Sequence, residues 1–472
     1  MTLHLGLLLG YAALLVGLGL WIGRRVSTTA DFFVAGRKLG PGLLFATLLA
    51  ANIGAGSTVG AAGLGYRDGL AAWWWVGSAA LGSLVLAFTV GPRMRRVAEE
   101  RGHKTVGDFL EDRYGRGVRG VLALLLSIGT LAILAGQLIA LAWVLNVVAG
   151  VPKWAGCLVG GLVATAYFSA GGLLTSVWVN AVQLVVMLAG FAIALPLVIA
   201  RAGGFGALMS ATSARVDYWN PWQGGASGVA YLAVLGPAFV VSPGLLQKIF
   251  GARDDRAVRL GVASNAAVLF AFALVPPLFG IAARALHPDL AQHELALPSV
   301  LMHDLPPWLG ALALAAVVSA EISTADAILF MFSTSLSQDL YRRFLRPQAS
   351  DAQVLRVARG AALGGGAAGI LLAIAAPTVI GALSLFYSIL SVCLFVPVVA
   401  GLYARRMGTP EIWAAIAAGV TALLAAQLAG RAWFGLTPAL LGLLASGAAA
   451  LTMSVARRRA SRSDRPACSP RA

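Results

Sequence analysis

Two ionisable side chains, Glu321 and Asp326, lie inside a long apolar segment. An ionisable residue at membrane depth costs roughly 2.5–3.5 kcal/mol on insertion scales, so such residues are functional candidates. The same segment holds Ala320, Ser323 and Thr324, whose i, i+3, i+4 spacing places them on one helix face. Two hydroxyls and a backbone carbonyl are neutral oxygen ligands that suit a hard monovalent cation. In the alternative interpretation, the hydroxyls bond to carbonyls one turn back in their own helix.

A second polar stretch, residues 50–60, has the sequence AANIGAGSTVG. Its glycines Gly54 and Gly56 let the backbone leave helical geometry. The carbonyls of Ala50 and Ile53 then become free to coordinate a cation, and N–H groups after the break can face an anion. Irregular backbone of this kind persists inside a membrane only where it lines a cavity. The two stretches together predict a cation site beside a solute cavity.

Signatures of catalysis are missing from the sequence. It has no Gly-rich phosphate loop ending in Lys-Ser or Lys-Thr, no G-x-S-x-G and no H-E-x-x-H. The five histidines lie at or outside the ends of apolar segments, and the three cysteines form no framework or metal motif. We therefore expect movement of a solute rather than an enzymatic reaction.

The composition shows what must position these residues. The chain has 472 residues, of which 59% are apolar and only 11% charged, with a mean hydropathy of +0.83. A membrane-spanning helix takes roughly 20 apolar residues, and the apolar residues run continuously instead of alternating, which excludes a β-barrel. The sequence predicts an all-α polytopic membrane protein with thirteen transmembrane helices. The predicted segments are 3–23, 42–64, 70–90, 121–149, 154–168, 177–200, 227–246, 261–283, 308–337, 357–377, 379–403, 412–430 and 436–456.

Basic residues are distributed unevenly between the predicted loops. If the N-terminus is outside, the cytoplasmic segments carry 29 of the 35 Lys and Arg residues, and a missed helix would invert every later loop. We therefore expect an inner-membrane protein with its N-terminus outside and a basic cytoplasmic tail at 457–472. The first segment lacks a basic region before it and a clear cleavage site, so it is interpreted as a retained helix.

Helix breakers recur at matching positions. Segment 42–64 contains Asn52, Gly54, Gly56, Gly60 and Gly63, and segment 227–246 contains Gly236, Pro237, Pro243 and Gly244. Each segment begins a possible five-helix unit, a pattern typical of an inverted repeat with its site at the bilayer midplane. In the alternative interpretation, Gly and Pro are simply common in membrane helices. The hypothesis is one domain, 1–456, with repeats at about 42–200 and 227–403.

Five stretches resemble the sodium/solute symporter family, which includes bacterial proline, pantothenate, sialic-acid and sugar symporters. They stand in the family's order over nearly the whole chain: STTADFFVAGRKLGPG (27–42), AANIGAGSTVG (50–60), TVGDFLEDRYG (105–115), PGLLQKIFGARD (243–254) and SAEISTADAILFMFSTSLSQDLYRRF (319–344). The resemblance implies thirteen helices on a leucine-transporter-like 5+5 inverted repeat.

The resemblance also implies site residues. The family's sodium site falls on the carbonyls of Ala50, Ile53 and Ala320 and the hydroxyls of Ser323 and Thr324. The predicted solute-binding residues lie beside that site: Asn52, Ser57, Trp74, Trp75 and Glu321.

The sequence departs from the family at several positions. Relatives often have Trp-Thr-Asp where this chain has Trp178, Val179 and Asn180, so a carboxylate linked to a second sodium or to coupling is missing. We assign coupling roles to Asn180 and Asp326. Sugar carriers have Gln and Glu at the positions of Ser57 and Val76, which disfavours a hexose here.

A further departure is Glu321, which occupies a position that is usually apolar in the family. Three roles are open for it: a counter-charge for the solute, a proton carrier, or a group kept neutral by burial. A structural role, in which it bonds a polar neighbour, is the alternative.

The leading hypothesis is a sodium-driven symporter that takes up a small polar organic solute, such as an amino acid or carboxylate. We expect it to act as a monomer among membrane lipids, with sodium as its cofactor and no nucleic-acid partner. A proton-coupled symporter of the same fold is the nearest alternative. A membrane-embedded solute sensor and a membrane enzyme are more distant ones.

Overall fold

The computed structural model describes residues 3–23, 37–168, 172–213, 215, 217–222, 228–404, 406–429 and 436–463. The helices in these residues are α1 Leu3–Gly23, α2 Pro41–Asn52, α3 Val59–Asp68, α4 Trp73–Phe88, α5 Val90–Arg101, α6 Val106–Tyr114, α7 Arg116–Ala149, α8 Lys153–Phe168, α9 Gly172–Arg201, α10 Gly204–Ala211, α11 Ala230–Val241, α12 Pro243–Phe250, α13 Asp255–Phe272, α14 Val275–Leu286, α15 Ala296–His303, α16 Pro307–Thr334, α17 Asp351–Ala375, α18 Val379–Tyr403, α19 Thr409–Leu428 and α20 Pro438–Ser463. Most of the motif at 27–42 and of the tail at 457–472 lies outside the described residues.

Many of these helices have the length and composition of membrane spans. Ten described runs are long and apolar enough to cross a bilayer, and three shorter apolar helices accompany them. Large apolar side chains such as Val185, Leu371 and Leu428 are exposed on the outer faces, where a lipid bilayer is the favourable solvent. The all-helical, multi-pass architecture is confirmed, and the count of thirteen spans stays a prediction.

Both predicted helix interruptions are present. α2 ends at Asn52, a short 3₁₀ turn covers Ala55–Ser57, and α3 starts at Val59. α11 ends at Val241 and α12 begins at Pro243. The residues flanking the two broken helices also meet, because Leu39 and Ala252 form a bridge in which Leu39 N–H donates to the Gly251 carbonyl at 2.9 Å.

The centre of the molecule is α16, which packs against α1, α2, α7 and α9. Its residues from Ser319 to Asp326 are all buried. The helix also extends beyond the predicted boundary at 337, because Ser335–Leu345 continues it as a π-helix. The residues predicted to begin a cytoplasmic loop at 338 are therefore still helical.

Candidate cation and solute site

The break after α2 exchanges backbone partners for side-chain partners. In a continuous α-helix the N–H groups of Gly54 and Ala55 would bond to the carbonyls of Ala50 and Ala51. Here Gly54 N–H donates to Ser57 Oγ at 3.0 Å, and Ala55 N–H donates to Gln137 Oε1 at 2.8 Å. The carbonyls of Ala50 and Ala51 are therefore released from the helix ladder.

The released carbonyls face the hydroxyls of α16. Ser323 Oγ lies 2.8 Å from the Ala50 carbonyl oxygen and 3.0 Å from that of Ala320. Thr324 Oγ1 lies 3.2 Å from the Ile53 carbonyl oxygen. We call these five oxygen atoms the oxygen cage; all five residues are buried. The structure thus brings together every residue assigned to sodium from the sequence, although that role itself stays a prediction.

The chemistry of the oxygen cage fits a hard monovalent cation. All five atoms are neutral oxygens, and hard cations prefer oxygen over nitrogen or sulfur. Gly54 makes the close approach possible, since a Cβ there would lie 2.7 Å from Gln137 Oε1 and equally close to Thr324 Cβ. Any larger residue would force the break away from α7 and α16.

A cavity of about 80 Å³ adjoins the oxygen cage. Three predicted solute residues line it, Asn52, Ser57 and Trp75, and Thr324 belongs both to the cavity wall and to the oxygen cage. Most of the other lining residues are apolar, from α4, α7, α11, α12, α13, α16 and α18; the polar exceptions are Gln137, Ser242, Lys248 and Tyr387.

Two predicted solute residues are not among those lining this cavity. The Trp74 indole N–H donates to the Pro221 carbonyl at 2.9 Å, and its ring packs against Trp222. Glu321 is fully buried on another face of α16, where Oε1 lies 2.6 Å from Thr58 Oγ1. The same hydroxyl lies 2.9 Å from the Gly54 carbonyl oxygen, so Glu321 contacts the break rather than the cavity.

The two residues assigned to coupling lie near each other behind the oxygen cage. Asn180 is buried, and its Nδ2 lies 3.4 Å from Thr47 Oγ1. The Lys248 ammonium donates to the same hydroxyl at 2.8 Å. Asp326 interacts electrostatically with this ammonium group. The sequence placed Lys248 in a cytoplasmic loop, which is wrong: α12 continues to Phe250 and leaves Lys248 only 1% exposed.

Sequence reasoning missed Gln137, Thr58 and Lys248. Gln137 had a usable signal, because it is an amide within an otherwise apolar segment, where polar side chains need partners. Thr58 had no such signal in the sequence, since its partner Glu321 is 263 positions away.

A pair of discontinuous helices that border an apolar-walled cavity and an oxygen-lined cluster is the arrangement of a secondary membrane transporter. Comparison with known sequences identifies the group. Residues 32–419 match the sequence profile of the Sodium:solute symporter family, and the chain belongs to that family. Its members are symporters rather than enzymes, and sodium is the coupled ion.

Individual relatives are distant. The sodium/glucose cotransporter of Vibrio parahaemolyticus is 25% identical, covering 75% of this chain and 71% of the relative. The sodium/pantothenate symporter of Escherichia coli is 27% identical over 71% of each chain.

Solved structures agree with the fold. A Na+-coupled sialic acid symporter matches with a TM-score of 0.81 at 18% identity, covering 97% of this chain and 98% of that one. The nucleobase-cation-symport-1 transporter Mhp1 matches with a TM-score of 0.63 at 16% identity, covering 92% and 95%.

Proposed function

We propose that this protein carries a small polar organic solute inward with sodium by alternating access, and that sodium binds in the oxygen cage. The observation that carries the proposal is the position of Thr324, which belongs to the oxygen cage and also lines the cavity. The ion and the solute would then both contact Thr324. Each sodium that enters down the membrane potential supplies about 2.3 kcal/mol per 100 mV.

Coupling follows from where the ligands come from. Ala50 and Ile53 belong to the first broken helix, whereas Ser323 and Thr324 belong to α16. An ion bound between them favours the conformation in which these two elements are close, and it shifts the equilibrium by its differential affinity for the two states. The solute, which touches the same break through Asn52 and Ser57, completes the shift.

The cavity supports an amino acid, a carboxylate or a similar solute. Asn52, Ser57 and Gln137 offer hydrogen bonds, and Trp75 offers an apolar ring face. The relatives transport solutes as different as glucose and pantothenate, so the family does not name the solute. The orientation we propose keeps the N-terminus outside and the C-terminus in the cytoplasm, as the basic residues predict.

The test is uptake into proteoliposomes with an imposed sodium gradient, using a panel of labelled amino acids, carboxylates, sugars and vitamins. In Ser323→Ala and Thr324→Ala the sodium concentration for half-maximal uptake should rise at least several-fold. Ser333→Ala is the matched control, because its buried hydroxyl donates to the Phe330 carbonyl of its own helix, α16. Unchanged sodium dependence in the double Ser323→Ala/Thr324→Ala variant contradicts the proposal.

The second candidate is proton-coupled symport on the same fold. It is supported by the contact of Glu321 with Thr58, which joins a carboxyl group to the first break. Uptake that is driven by a proton gradient in sodium-free buffer, and that is lost in Glu321→Gln, would show that the coupling ion is the proton rather than sodium.

A further inference from the structure

Lys248 is a lysine held inside the protein. Its side chain is 1% exposed, and it lies in α12, directly after the second helix break. Burying an ammonium group without partners is strongly unfavourable, so a buried lysine must be surrounded by groups that stabilise its charge.

Those groups come from three other helices. The ammonium donates to Thr47 Oγ1 of α2 at 2.8 Å, and Asn180 of α9 contacts the same hydroxyl. Asp326 of α16 supplies the opposing charge. We call Thr47, Asn180, Lys248 and Asp326 the Lys248 cluster; all four are buried.

The Lys248 cluster adjoins the oxygen cage along two helices. Thr47 precedes Ala50 by three residues on α2, and Asp326 follows Thr324 by two residues on α16. Both groups of atoms therefore bridge the same pair of helices. The oxygen cage would take its positive charge from a bound ion, whereas the Lys248 cluster takes it from the lysine side chain.

A hydroxyl, an amide and a carboxylate are the side chains that provide oxygen ligands to a hard cation. An ammonium group is itself a compact monovalent point charge. In the Lys248 cluster this charge is attached to the chain, so it does not exchange with solution.

We propose that Lys248 is a permanent internal cation, and that this protein consequently binds one exchangeable sodium ion where the two neighbouring sites would otherwise take two. The statement about the remaining ion rests on the proposed function of the oxygen cage. The second broken helix is then joined to α2 and α16 by a charge that does not exchange with solution.

The experiment counts bound ions with radioactive sodium at equilibrium, using purified full-length protein in detergent. The wild type should bind one sodium per chain. Lys248→Met keeps an apolar stem but leaves Asp326 without the ammonium, so a second sodium should bind. In Lys248→Met/Asp326→Asn both charges are absent, and the count should return to one.

Variants of the oxygen cage separate this inference from the proposed function. Ser323→Ala/Thr324→Ala should bind no sodium, and adding Lys248→Met should restore one. If the double Ala variant still binds sodium, the oxygen cage is wrong, while an extra ion in Lys248→Met still supports the internal cation.

Three results overturn the inference. They are two sodium ions in the wild type, one ion at unchanged affinity in Lys248→Met, and a Lys248→Met protein that stays unfolded at saturating sodium. Failure of Lys248→Met to fold at saturating sodium counts against the inference, because a sodium ion should substitute for the missing ammonium. Lys248→Met/Asp326→Asn guards against a folding artefact, since removing both opposite charges leaves neither of them buried and uncompensated.

Discussion

The helix α7 carries a buried hydrogen-bonded cluster near each end, and the two clusters are built from different chemistry. Arg119 stands near its start and Trp143 near its end, which is a separation of about 36 Å for 24 residues of helix. Each contacts a glutamate from another element, Glu111 at the first end and Glu294 at the second.

The cluster around Glu111 is ionic. Arg119 donates to Glu111 at 2.8 Å and to Asp339 at 2.7 Å, and Arg343 also pairs with Glu111. Burial pushes the pKa of Glu111 upward, but the two guanidinium groups outweigh it and hold that pKa below its usual value. The charge is therefore stabilised by opposite charge.

The cluster around Glu294 uses neutral donors. Oε2 accepts from the Trp143 indole at 2.9 Å, and Oε1 accepts from the Val379 N–H at 2.7 Å, at the start of α18. Here burial dominates and raises the pKa of Glu294, although the hydrogen bonds oppose it.

The two clusters hold different elements in place at the two ends of α7. Asp339 and Arg343 belong to the π-helix that extends α16, whereas Val379 begins α18, whose Tyr387 lines the cavity. Ion pairs fix the first element and neutral hydrogen bonds the second. The two ends should therefore respond differently to the loss of a partner and to pH.

The largest effect is expected at the ionic end. Arg119→Met leaves Glu111 and Asp339 without their shared partner, and breaking a buried ion pair costs about 3–5 kcal/mol. The free energy of unfolding, measured in detergent by denaturant titration, should fall by that amount. Arg116→Met is the control, since its side chain is 68% exposed and should change stability by less than about 1 kcal/mol. Equal effects of the two variants would mean that the buried ion pairs of Arg119 contribute no more to stability than an exposed arginine does.

A smaller loss is expected for Glu294→Gln. An amide has one oxygen, so its NH₂ group meets either the Val379 N–H or the Trp143 N–H, and a buried unpaired donor costs about 1–3 kcal/mol. The same unfolding measurement applies. Asp289→Asn, in the exposed part of the same loop, should be neutral, and a loss as large as that of Arg119→Met would contradict the comparison.

Trp143→Phe should have a milder effect. It deletes one neutral hydrogen bond, worth about 0.5–1.5 kcal/mol, while Oε1 of Glu294 keeps the Val379 N–H. Unfolding should show a smaller loss than Glu294→Gln. A larger loss than that of Glu294→Gln would mean that packing of the indole ring, rather than its N–H, stabilises this end.

The smallest effect is a pH dependence of opposite sign at the two ends. A raised pKa means that folded Glu294 binds protons more tightly than the unfolded chain, so its contribution declines as pH rises from about 4.3. A lowered pKa at Glu111 makes its contribution decline as pH falls below that value. The stability difference between wild type and Glu294→Gln, and between wild type and Glu111→Gln, measures each slope. Slopes of the same sign would refute the contrast.

The oxygen cage was predictable because its residues follow short-range rules. Glycines marked the release of Ala50 and Ile53, and helical spacing aligned Ser323 and Thr324 with Ala320. Lys248 was not predictable, because a lysine near a helix end usually extends to the surface, and only the packed structure shows it enclosed.

Adjacent residues show the same limit on the solute side. Neighbours on a helix point about 100° apart, so Trp75 lines the cavity while Trp74 binds Pro221. Composition alone did not reveal which of the tryptophans faces inward. The two breaks themselves were visible in the sequence, as Gly and Pro clusters.

The π-helix at Ser335–Leu345 constrains how this part of the sequence can change in length. A π-helical turn holds more residues than an α-helical turn, so the segment accommodates an extra residue without interrupting the helix. Deleting one residue there would return it to α-helical winding and so change the directions of the side chains within the segment. Asp339 and Arg343 would then miss Arg119 and Glu111 with every charge retained. Register as well as charge therefore limits which insertions and deletions this region tolerates.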